Sequence, residues 1–202
     1  MVLPGSKALG VEKIIAKYCC EINGVALISL NSHAILNRPS YESPASRETY
    51  NDIHKLRKAE VDQFIASQKD ISWIDPQKMI LLGLSEGAVT AASYPGSSFP
   101  LRIFISWPCE QNYFVDDVSL GGDINTWFLN IIGYKDHFFG INSPFNSHLP
   151  ISGHGAEKLQ SYPNSKVVIF PNAGHRLIEN SPLTLKEISD FILCWLMSFT
   201  KE

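Results

Sequence analysis

No apolar run in this chain is long enough to cross a bilayer. The longest, Phe191-Ile192-Leu193-Cys194-Trp195-Leu196-Met197, falls far short of the roughly 20 residues that a spanning helix needs. Positive charge is not in surplus either. Lys and Arg number 17 against 20 Asp and Glu, a formal net charge of −3, so the electrostatic footprint of a nucleic-acid binder or of a protein held to an anionic membrane is missing. Cysteine is sparse. Cys19 and Cys20 are neighbours, Cys109 and Cys194 stand apart, and no pair has the spacing of a metal site. The expectation is reduced, mostly buried thiols in a cytoplasmic protein. Residues 1–5 lack a charged stretch followed by a long apolar one, so no signal peptide is read. Repeats and low-complexity tracts are also lacking.

What is present is a chain of 202 residues, 45% of them hydrophobic. That fits a single domain over residues 1–202 with a sizeable core. Apolar spacing predicts helices over residues 11–21, 46–67 and from Ser181-Pro182 onward, where a cap precedes a first-turn proline. In the last helix the stripe Leu185, Ile188, Ile192, Trp195, Phe199 has gaps of three and four and reads as core. Residues 155–161 suit a short helix. Met1-Val2-Leu3 reads as the end of a strand, and residues 25–30, 79–84, 101–106, 125–133 and 166–170 as further strands. Strands and helices alternate, and the strands are apolar on both faces. The predicted fold is therefore α/β: a mostly parallel sheet of about six strands with helices on both sides. In such sheets function gathers at the carboxyl ends of the strands.

The most informative segment is Met79-Ile80-Leu81-Leu82-Gly83-Leu84-Ser85-Glu86-Gly87. An apolar run ends in Gly-x-Ser-x-Gly, and a run of small residues follows from Ala88 to Ala92. This is the pattern of a strand stopping at a sharp turn that carries a serine, with glycines where strand and helix crowd together. A serine hydroxyl is a poor nucleophile near neutral pH. It needs a base within hydrogen-bond reach, and the base needs an acid to orient it. Past the end of the strand at residues 125–133 stands Asp136; past the end of the one at residues 166–170 stands His175. The gaps between Ser85, Asp136 and His175 each have room for a helix and a strand, which would bring the three loops to one edge of the sheet. Plainer roles exist for each: a turn serine, a helix-capping or Lys135-paired aspartate, a surface histidine. The rival acids Asp116, Asp117 and Asp123 precede the strand instead of following it.

With Ser85 before Asp136 before His175, the chain resembles the dienelactone-hydrolase-like branch of the α/β-hydrolases. The segments that carry the resemblance are residues 75–87, Ile132-Gly133-Tyr134-Lys135-Asp136 and Pro171-Asn172-Ala173-Gly174-His175. The namesake enzymes use a cysteine nucleophile where this chain has Ser85, which favours a general carboxylesterase. Against that family the chain begins at what would be the third strand. The leading hairpin is absent, implying a compact or truncated variant whose sheet edge is open to pairing as a homodimer. The resemblance implies an oxyanion hole built from the amide of Glu86 and that of Ser6 or, by a different alignment, Ala8. It implies a serine esterase acting on a small ester or thioester without metal or organic cofactor. A thioesterase, a small peptidase and a catalytically silent binding protein are the alternatives. His33, Trp107, His137 and Phe138, each near a strand end, are the candidate pocket residues. Cys109 carries no sign of activation as a nucleophile.

Overall fold

The computed structural model describes every residue except Ala8, Asp117, Lys201 and Glu202. Five strands form one sheet: β1 (Val2–Leu3), β2 (Ile80–Leu84), β3 (Leu101–Ile105), β4 (Trp127–Gly133) and β5 (Ser165–Phe170). They lie in that order, and every neighbouring pair is parallel. The helices are α1 (Glu12–Asn23), α2 (Arg47–Ser67), α3 (Glu86–Ser93), α4 (Ala156–Leu159), α5 (Leu177–Asn180) and α6 (Pro182–Ser198).

Alternation along each strand sends side chains to two separate cores. Leu81, Phe104, Phe128 and Ile132 join Tyr50, Val61 and Phe64 of α2 and the small side chains of α3. Ile80, Leu82, Leu84, Ile103, Ile105 and Ile131 instead meet Ile15 of α1 and Ile188, Phe191, Ile192 and Trp195 of α6. Both faces are covered, which is why the strands read as nearly continuous apolar runs.

Local punctuation sets the helix ends. Ser46 caps α2, its hydroxyl accepting from the Thr49 amide, and Gly24 closes α1 in a left-handed conformation (φ 63°). The sixth strand expected at residues 25–30 reduces to a single parallel bridge, Val2 to Ser29. Its neighbour among the described residues, β1, is two residues long, so there is little ladder to pair with. The α6 stripe is buried as far as Trp195, whereas Phe199 is 41% exposed. Between β1 and β2 the chain runs outward to Ser29 and then returns across β1. The strand order reverses there, and the crevice outside the carboxyl ends of β1 and β2 is where this class of sheet places a ligand.

Candidate active site

Ser85 occupies the turn between β2 and α3 with φ 52° and ψ −111°, backbone territory that side chains rarely adopt. Two glycines permit it. A Cβ on Gly83 would lie 2.2 Å from the Gly87 carbonyl oxygen, and one on Gly87 would lie 2.3 Å from that of Leu3. Strand, turn and helix are thus in backbone contact, and the serine hydroxyl is left at the sheet's edge.

Two further strand ends meet it. The His175 Nε2 lies 3.0 Å from Ser85 Oγ, and its Nδ1 lies 2.7 Å from Asp136 Oδ2. The carboxylate can only accept from Nδ1–H, so neutral His175 presents an Nε2 lone pair to the serine hydroxyl. Asp136 is almost fully buried, and its other oxygen accepts from the amides of Phe138 and Phe139 at 2.8 and 3.1 Å. The His175 ring sits against Phe138 and Phe139, with centroids 4.9 and 5.9 Å away. Its carbonyl accepts from the hydroxyl of Ser106, at 2.7 Å.

These groups open into a cleft of about 380 Å³. Gly5 and Ser6 form one wall beside the serine. Tyr41, Tyr113, Phe114, Phe138 and Phe139 form an aromatic wall, and Leu177 and Ile178 a third. Among the described residues, no protein acceptor is recorded for the amides of Gly5, Ser6 or Glu86. Three N–H groups near Ser85 are therefore free for a ligand oxygen. The Ala8 alternative lies outside the described residues.

The Glu86 side chain is fully buried and paired. It accepts from Arg38 Nη2 at 2.6 Å and from the Tyr41 hydroxyl at 2.9 Å, and Arg57 Nε lies 3.5 Å away. Burial, reinforced by the Glu86 charge, pushes the Tyr41 phenol well above its ordinary value, so it stays a donor.

Of the pocket candidates, Phe138 lines the cleft and three do not. His33 is exposed on a short turn beyond the outermost bridge; Ser32 is the residue that turns inward, its hydroxyl accepting from Arg38 Nε at 2.8 Å. Trp107 is fully buried against Phe104 in the core beneath the cleft, because Ser106 takes a left-handed conformation (φ 57°) and itself faces the opening. His137 is exposed, supporting Phe138 and Phe145 from outside. Tyr41, Ser43, Tyr113, Phe114 and Phe139 had no local signal in the sequence. Cys109 is sealed in the core, where burial pushes its thiol up to about 12. All four cysteines are free; two are buried and two exposed, fewer buried than expected.

No protein-family model matches the chain, and no curated protein matches its sequence. Solved structures do. SOBER1 of Arabidopsis thaliana is 17% identical with a TM-score of 0.59, covering 96% of this chain and 97% of its own. The Bacillus cereus carboxylesterase is 15% identical with a TM-score of 0.58, covering 95% and 85%. The chain has the α/β-hydrolase fold. Alpha/beta hydrolase domain-containing protein 10 from mouse shares it as well, at 15% identity and a TM-score of 0.55 over 95% of this chain and 88% of that one. No helix among the described residues is long and apolar enough to cross a membrane.

Proposed function

We propose that this α/β-hydrolase-fold chain is a serine hydrolase that cleaves small carboxylic esters through an acyl-enzyme. The observation that carries the reading is the relay itself: Ser85 Oγ to His175 Nε2 at 3.0 Å and His175 Nδ1 to Asp136 Oδ2 at 2.7 Å, on a strained turn beside unpaired amides. Ser85 attacks the ester carbonyl as His175 takes its proton. Asp136 holds the imidazole in the required tautomer and balances the charge it gains. The amides of Glu86 and Ser6 receive the oxyanion. His175 returns the proton to the leaving alcohol, then draws one from the water that releases the acid. The shared fold of a solved carboxylesterase supports this reading, as does the mostly apolar lining of the cleft. Placement in the dienelactone-hydrolase-like branch, as a serine variant, rests on the three sequence segments alone.

The test is intact mass after exposure to a fluorophosphonate, for wild type, Ser85→Ala and His175→Ala. One stoichiometric adduct is expected on wild type, none on Ser85→Ala and much slower labelling of His175→Ala. A folded wild-type chain that takes no label would sink the proposal.

A further inference from the structure

Arg57 of α2 is fully buried, yet it belongs to none of the catalytic groups. Its guanidinium makes three contacts. Nη2 donates to the Pro4 carbonyl at 2.7 Å, Nη1 donates to Glu60 Oε2 at 2.8 Å, and Nε lies in ion-pair contact with Glu86 Oε1 at 3.5 Å. Pro4 opens the loop that carries Gly5 and Ser6. Glu86 follows the nucleophile. We propose that Arg57 is a positioning residue that holds the two halves of the oxyanion hole, one after β1 and one after β2, at a fixed spacing and facing. This rests on the hydrolase reading above.

The geometry works through the peptide plane. The Pro4 carbonyl and the Gly5 N–H share one rigid trans unit and point in opposite directions. A carbonyl drawn inward to Arg57 fixes the Pro4–Gly5 peptide plane, and with it the direction from which the next peptide presents the Ser6 N–H; Gly5 and Ser6 line the cleft, and a Cβ on Gly5 would lie 3.5 Å from Ser85 Cβ. On the other side, the Glu86 carboxylate accepts hydrogen bonds from Arg38 and Tyr41, and the Arg57 guanidinium lies against it in ion-pair contact at 3.5 Å without a hydrogen bond. That fixes the first turn of α3, whose leading amide is free.

A merely space-filling role explains less. Two arginines and two glutamates, Arg38, Arg57, Glu60 and Glu86, are taken almost wholly out of water. Desolvation of that kind often outweighs the gain from pairing, and an apolar side chain would fill the volume without it. Burial lowers the Arg57 pKa, with Glu60 and Glu86 opposing the shift. Bonding a carbonyl and a carboxylate while lying flat against a second carboxylate needs a planar fork of donors, which arginine has and lysine lacks.

The experiment compares wild type with Arg57→Gln and Arg57→Lys. It measures kcat and KM on a p-nitrophenyl ester, the inhibition constant of an aliphatic trifluoromethyl ketone, and the melting midpoint. The ketone adds to the serine and places an oxyanion in the hole. Loss of a single donor costs about 100- to 1,000-fold in kcat, so a displaced donor is expected to cost about tenfold to a hundredfold. In Arg57→Gln that loss should fall on kcat, leave KM within about threefold, and weaken the ketone by the same factor. Arg57→Lys should recover part of both, and serves as the test if the glutamine variant does not fold. Arg102→Lys is the control for stability alone. Arg102 is equally buried but donates to the carbonyls of Tyr94 and Gly96 beyond the far end of α3, so its variant should melt earlier with kcat unchanged. Folded Arg57 variants with wild-type kcat and ketone affinity would overturn the inference and leave the hydrolase reading standing, as would an equal kcat loss in Arg102→Lys. A wild type inert to both ester and ketone would overturn both.

Discussion

The Asp136 carboxylate is held from two sides: Oδ1 by two backbone amides, Oδ2 by the imidazole of His175. An asparagine there would keep the shape and lose the pure acceptor. Its NH2 group, turned to His175, would favour the tautomer with no lone pair for Ser85. Asp136→Asn is expected to lower kcat about 10⁴-fold with little change in KM, measured on the ester that wild type turns over. That Ser85, Asp136 and His175 come within hydrogen-bond reach was legible in the sequence because each sits just past an apolar run with a turn signal, so the backbone placed it. The cleft wall was not legible. Tyr41, Tyr113 and Phe114 reach the site through contacts with distant segments, which no local spacing records. A strand end also fails to say which way the next side chain turns, and at Ser106 a left-handed residue reversed the expectation for Trp107.

At the scale of elements, the elbow is a close contact of three backbones: β1, β2 and α3. Gly87 has no room for a methyl group, since a Cβ would meet the Leu3 carbonyl at 2.3 Å. Gly87→Ala is expected to destabilise the fold by about 1–3 kcal/mol through overpacking, read as a lower urea midpoint, and to slow fluorophosphonate labelling of the folded fraction. Strand and helix positions were largely readable from periodicity. Within α2 the apolar residues Ile53, Val61 and Phe64 are buried, and so are Arg57 and Glu60; no apolar spacing marks a buried charge, whose burial depends on its partners, here including Pro4 and Glu86 on other segments. Residues 112–115 form a packed wall of the cleft, Tyr113 and Phe114 lining it. Asn112 is fully buried, its side-chain oxygen accepts from the amides of Phe114 and Val115, and Phe114 and Val118 are packed in the core.

For the molecule as a whole, pH sensitivity should concentrate where α2 meets that wall. His54 Nε2 lies 3.1 Å from the Phe114 carbonyl, and its ring packs edge-on against Phe114 at 4.8 Å. Burial, aided by the charges of Lys58 and Arg47, lowers its pKa from 6.5 to about 4, although the Phe114 bond opposes this. Above the unfolded value both states leave the ring neutral and this site's contribution to stability is fully present. As pH falls toward 4 the unfolded chain takes up a proton that the folded one refuses, and stability drops. A shift of that size is on the order of 3 kcal/mol. His54→Gln should flatten the fall in urea midpoint between pH 7 and pH 4.5; an unchanged slope would exclude His54 as its source.

The relay is supplied by turns after β2, β4 and β5, whereas much of the cleft wall comes from residues 41–43 and 113–114, which belong to no strand of the sheet. On the proposed hydrolase reading, chemistry and recognition therefore fall to separate stretches of one chain. On that reading, substitutions confined to the wall would change which ester is admitted and leave Ser85, Asp136 and His175 as they are.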